Sequence, residues 1–181
     1  MVFMKNKRYS IVAVLILMFV SCNDIDNTVR HLMGKTISFE WEKETYCFNT
    51  TFLSQQPTNY LRIIAYAEED ACDSCLINYL NAASMMIKSL NTDNVFFILV
   101  TPIPIKKLES IIEEQKLSNI CFIQDKKQQY LIKNNLTRYT YNYRTFLIDK
   151  KDKIVCVGDP LRSRSIYMLY RHRIQKILKL Q

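Results

Sequence analysis

Residues 61–80 read LRIIAYAEEDACDSCLINYL. The first seven, Leu61 to Ala67, are mostly apolar, the composition of a strand covered on both faces of a sheet. From Asp73 onward Leu76, Ile77, Leu80, Ala83, Met86, Ile87 and Leu90 recur at helical spacing, which predicts a helix over 73–90. Between strand and helix stand Glu68, Glu69 and Asp70, then Cys72, and three residues on Cys75. Cys72 therefore falls just before the first helical turn. Unpaired N–H groups and the helix dipole at that position stabilise a thiolate, the nucleophilic form of cysteine. Cys75 lies one turn further on the same side, so the two sulfurs can close a disulfide. The pair is open to three readings: a redox couple, a structural disulfide, or half a metal site. The metal reading lacks partners, because a closed zinc site takes four Cys or His ligands. The only histidines, His31 and His172, stand at opposite ends of the chain and outside any motif. No cofactor and no metal is expected.

The pattern continues outward from this junction. Val95 to Val100 (VFFILV) is a continuous apolar strand. Pro102 and Pro104 end it and open a helix through about Leu117, with Leu108, Ile111 and Ile112 inward. A third short strand is expected at Ile120–Ile123 and a short helix at Lys126–Asn134. Thr145–Ile148 (TFLI) and Ile154–Val157 (IVCV) flank Asp149-Lys150-Lys151-Asp152, the pattern of an antiparallel hairpin. A last helix runs from about Arg164 to Leu178. Before all of these, Thr36–Phe48 alternates β-branched and aromatic residues with charges and reads as one or two strands. Alternating strands and helices imply an α/β fold, a mixed central sheet with helices on both faces.

This order, with Cys-x-x-Cys between a strand and its helix, resembles the thioredoxin-like three-layer sandwich. More narrowly it resembles the membrane-tethered TlpA/ResA-like thioredoxins of bacterial envelopes. The resemblance covers residues 34–180, and its carriers are LRIIAYAEEDACDSC, VFFILV and TFLIDKKDKIVCVG. It implies that Cys72 is the exposed, attacking cysteine and that Cys75 resolves the mixed disulfide. Three positions depart from the family pattern. Ala71 replaces the usual aromatic before the first cysteine. Tyr66, six before Cys72, stands where a buried carboxylate is usual. The family's cis-proline before the TFLI strand is missing, since no proline occurs between Pro104 and Pro160. Tyr143 and Arg144 are then the substrate-groove candidates, and an arginine there would favour the thiolate. Glu68, Glu69, Asp70 and Asp73 act the other way and raise the thiol pKa. A high-pKa thiol is a poor leaving group, which predicts a reducing pair rather than a strong oxidant.

The N-terminus has its own pattern. Lys5, Lys7 and Arg8 precede ten unbroken apolar residues, Ile11–Val20, and a small residue at Ser21. That is the layout of a secretion signal, and the apolar run is about half the length of a membrane-spanning helix. Phe19-Val20-Ser21-Cys22 resembles a bacterial lipobox, which implies cleavage before Cys22 and lipidation of its sulfur and amine. Residues 1–21 are expected as a lipoprotein signal peptide, 22–33 as a tether and 34–181 as one thioredoxin-like domain. Cleavage removes three cations from a formal charge of +8. The remaining positive charge clusters late, at Arg162, Arg164, Arg171, His172, Arg173, Lys176 and Lys179, which reads as a solvated helix face, with contact with anionic lipid as the weaker alternative. Nothing in it points to nucleic acid. Asn23 after Cys22 lacks the aspartate that retains some lipoproteins at the inner membrane. The expected location is a lipid-anchored, periplasm-facing position in a Gram-negative-type envelope, at the outer membrane.

The functional expectation is a membrane-tethered thiol–disulfide oxidoreductase. Its partners would be cysteine-containing envelope proteins, with an upstream reductant to reset Cys72 and Cys75. The alternative is a non-catalytic thioredoxin-fold lipoprotein, a binding module in which the same pair is a structural staple. Cys47, Cys121 and Cys156 lie in apolar strand stretches and read as small core residues. In an oxidising envelope two of them can pair, and the sequence does not choose which.

Overall fold

The computed structural model describes residues 27–38, 45–47, 61–68, 72–92, 94–115 and 120–179. The apolar leader, Cys22, Glu69, Asp70 and Ala71 lie outside them. Two compact units divide the chain, Met1–Met33 and Gly34–Gln181. In the first, residues 27–32 form a short helix inside the stretch read as a tether.

The second unit is built on one six-stranded sheet in the order β1-β4-β3-β2-β5-β6. Its strands are β1 (Thr45–Cys47), β2 (Leu61–Tyr66), β3 (Val95–Thr101), β4 (Ile120–Gln124), β5 (Phe146–Ile148) and β6 (Ile154–Val157). The helices are α1 (Asp73–Ser89), α2 (Ile105–Gln115), α3 (Gln129–Lys133) and α4 (Arg164–Lys179). β2, β3 and β4 run parallel, as strands joined by crossover helices must. β5 pairs antiparallel with β2, β6 with β5, and β1 with β4. Every residue of β2 and β3 is buried, which explains why both read as apolar runs without alternation.

Helices cover both faces. Leu61, Ile63 and Ala65 of β2 share a core with Leu76, Leu80 and Ile87 of α1, Leu108 and Ile111 of α2, and Tyr170 and Ile174 of α4. Alternation sends Arg62, Ile64 and Tyr66 to the opposite face. There Tyr130 of α3 stacks on Tyr66, with ring centroids 6.3 Å apart. Within the stretch read as one or two strands, Thr45–Cys47 form β1 and Thr36 bridges to Lys153, while residues 39–44 and 48 lie outside the described residues. α3 begins at Gln129, later than expected, because the Asp125 side chain holds the turn before it. Its two carboxylate oxygens accept the Gln129 and Tyr130 N–H groups at 2.7 and 3.1 Å.

The three strand cysteines separate. Cys121, buried in β4, is disulfide-bonded, and Cys47 of β1 is its register partner across the antiparallel ladder. Cys156, buried in β6, is free, and burial pushes its thiol up to about 11.

Candidate functional site

β2 ends at Tyr66, and Cys72 caps the N-terminus of α1. Cys72 is extended (φ −64°, ψ 143°), while its carbonyl already accepts the Leu76 N–H at 2.9 Å. Its sulfur accepts the Cys75 N–H at 3.1 Å, so this cysteine takes the place of the Ser or Asp that usually caps a helix. The same bond would stabilise a thiolate at Cys72 once the pair is reduced. Cys72 and Cys75 are joined by a disulfide, with their Cα atoms 5.2 Å apart. Both residues are exposed.

The acids around the pair are partly answered. Asp73 is ion-paired with Lys107 of α2. Glu68 is ion-paired with Arg144 at 2.8 Å. Two of the four carboxylates near Cys72 in sequence, Glu68 and Asp73, thus each carry a cation at contact distance. Arg144 also donates to the Tyr139 carbonyl at 2.8 Å and lies 5.9 Å from the Tyr66 ring centre. It thus ties the loop before β5 to the end of β2. Tyr143 closes a 3-10 turn, Tyr141–Tyr143, and is half-buried.

A cleft of about 220 Å³ opens beside Cys75. Tyr66, Tyr79, Tyr141, Thr145, Asp159 and Arg162 are among its walls. Tyr141 and Thr145 flank the two residues expected there, whereas Tyr143 and Arg144 do not line it. Tyr79 follows Cys75 by four residues, one turn along α1. Its hydroxyl donates to Asp159 at 3.1 Å. Burial, and then the neighbouring carboxylate, push the Tyr79 hydroxyl pKa well above the ordinary tyrosine value. Asp159 is buried, accepts the Leu161 N–H at 2.9 Å, and is ion-paired with Arg162 at 3.3 Å. Arg162 in turn lies 4.8 Å over the Tyr141 ring.

None of Tyr79, Asp159 and Arg162 was singled out for the site by its own motif. The usable signals were slight: Tyr79 at one turn from Cys75, and Gly158-Asp159-Pro160 directly after a predicted strand. Among the described residues no group of three His, Cys, Asp or Glu side chains is placed to hold a metal ion.

No protein-family model matches the sequence, and no curated protein matches it. Solved structures do share its architecture. Peroxiredoxin Q of Xylella fastidiosa superposes with a TM-score of 0.55 at 15% identity, over 78% of this chain and 96% of that one. Peroxidoxin BcpB of Mycobacterium tuberculosis gives 0.52 at 13%, over 76% and 96%. The thioredoxin domain of a Bacteroides vulgatus thiol-disulfide oxidoreductase gives 0.45 at 16%, over 65% and 81%. At such identities the first two likenesses speak to the fold and to nothing finer. The chain has a thioredoxin-like α/β fold with a Cys72–Cys75 disulfide at the helix start that follows its second strand.

Proposed function

We propose that this protein is a membrane-tethered thiol–disulfide oxidoreductase that reduces or exchanges disulfides of envelope proteins. The observation that carries the reading is the exposed Cys72–Cys75 disulfide at the N-terminus of α1, beside an open cleft. In the reduced protein the Cys72 thiolate attacks one sulfur of a client disulfide. One client sulfur leaves as a thiolate and takes a proton, and the other remains bonded to Cys72. Cys75, deprotonated, then attacks the Cys72 sulfur, releases the client's second thiolate and restores the Cys72–Cys75 disulfide. Two electrons have passed to the client, and an upstream dithiol, itself oxidised to a disulfide, supplies two more to reduce Cys72–Cys75 again.

The tether and the envelope location rest on residues 1–22 alone, on the basic start, the apolar run and Phe19-Val20-Ser21-Cys22. A protein anchored through Cys22 would reach clients in the periplasm without crossing the membrane again.

The direct test is trapping. Cys75→Ser should accumulate mixed disulfides through Cys72 that reducing agent releases, and Cys72→Ser should accumulate none. Adducts absent from both variants would leave the staple reading in place and remove the enzyme.

A further inference from the structure

The outward face of α4 plays no part in the redox site. The helix sequence, RSIYMLYRHRIQKILK, contains no acidic residue over Arg164–Lys179. Tyr170 and Ile174 turn into the core. Arg173 lies near enough to the buried Cys156 thiol to favour its ionised form. What remains outside is a stripe through Arg164, Met168, Arg171, His172, Gln175 and Lys179, all exposed. Their spacing stacks them on one side of a helix about 24 Å long. Among the described residues Arg164, Arg171 and Lys179 form no ion pair. Met168 is 51% exposed and its neighbour Leu169 49% exposed.

A solvated surface helix ordinarily interleaves acids with its bases, which limits its attraction for polyanions. This face does not. Single exposed apolar side chains are ordinary, but here Met168 sits within a stripe of unpaired cations and Leu169, about 100° further round the helix, borders it. That combination suits a surface that offers anions in one layer and hydrocarbon just beneath it. A nucleic-acid backbone would use the cations and leave Met168 and Leu169 in water.

We propose that the outward face of α4 docks on an anionic lipid bilayer, cations at the phosphates and Met168 and Leu169 at the acyl boundary. This docking is independent of the redox chemistry, and it does not require lipidation at Cys22.

The test uses the full chain bound to vesicles of phosphatidylcholine alone or of phosphatidylcholine with about one-third phosphatidylglycerol, a share that gives a strongly negative surface. A water-soluble amine-acylating reagent is applied and Lys176 and Lys179 are read by mass spectrometry, with exposed Lys88 and Lys150 as references. The expected result is at least fivefold slower acylation of Lys176 and Lys179 on the anionic vesicles only, reversed by high salt. Arg164→Glu combined with Arg171→Glu should abolish the protection. Met168→Ala combined with Leu169→Ala should weaken it while leaving its salt dependence. Equal rates on the two vesicle types overturn the proposal, and because that comparison needs no variant it stands even if a substitution fails to fold. Protection by duplex DNA or an acidic polypeptide but not by anionic vesicles also overturns it, in favour of a soluble polyanion.

Discussion

Asp159 sits in a turn that tolerates no side chain just before it. Gly158 has φ +107°, and a Cβ there would lie 2.7 Å from the Ile166 side chain of α4. The Gly158 N–H donates to the Thr145 carbonyl at 2.9 Å, and its carbonyl accepts the Tyr170 hydroxyl at 2.8 Å. The backbone is thereby fixed, and the Asp159 carboxylate is aimed at Tyr79 behind Cys75. Asp159→Asn removes a charge-assisted bond from a half-buried hydroxyl and should cost about 1–3 kcal/mol of stability, read as a lower urea midpoint. It should also let Tyr79 ionise at lower pH, since the carboxylate is one cause of its raised pKa. An unchanged midpoint would show that the bond contributes nothing. At this scale the cysteine pair was legible, because its spacing coincides with a strand-to-helix junction. Asp159 was not, because its partner Tyr79 lies 80 residues earlier in the chain.

At the scale of elements, the β5–β6 hairpin shows what periodicity reads well and what it cannot. TFLI and IVCV around DKKD announce two strands and a turn, and the structure has them, with Asp149 accepting the Lys151 and Lys153 N–H groups at 2.8 and 2.9 Å. What the pattern hides is the anchor. Arg62, a lone cation in an otherwise apolar strand, is fully buried and donates to the Asp149 carbonyl at 2.6 Å. Its guanidinium is also ion-paired with Asp152 at 2.9 Å. The buried charge is thus held by the turn of a hairpin 87 residues away in sequence, beyond the reach of any local signal. Asp152→Asn leaves Arg62 buried without its counter-charge and should cost about 2–4 kcal/mol, below the range for a fully buried pair because Asp152 keeps some contact with water. Arg62→Met removes the charge itself and should cost less. Chemical denaturation of the two variants checks the order, and the reverse order would contradict this assignment. β1 falls inside Thr36–Phe48, the stretch whose alternation reads as one or two strands.

For the whole molecule, several buried acids share one direction of shift. Burial raises the Cys156 thiol to about 11 and raises the hydroxyls of Tyr79, Tyr130 and Tyr170 well above the ordinary tyrosine value. In the unfolded chain Cys156 loses its proton near pH 9, and in the folded chain it keeps it until about 11. The folded state therefore binds more protons through that window, and stability falls as pH rises. Thermal unfolding should move to lower temperature progressively from pH 9 to 11, with the tyrosines adding to the loss above about pH 10. Cys156→Ala should flatten the early part of the decline, and an unaltered slope would assign it to the tyrosines alone.

The sheet order, the helices on both faces and the cysteine pair at the start of α1 together suit thiol exchange, and its potential tests that claim most directly. Full-length protein equilibrated in graded thiol–disulfide buffers, alkylated and read by mass spectrometry, reports Cys72 and Cys75 separately from Cys121 and Cys156. A reversible two-electron transition of Cys72–Cys75 near thioredoxin's potential, about −270 mV, is the expected result. A pair that stays oxidised well below about −300 mV would mark a structural staple and contradict the oxidoreductase.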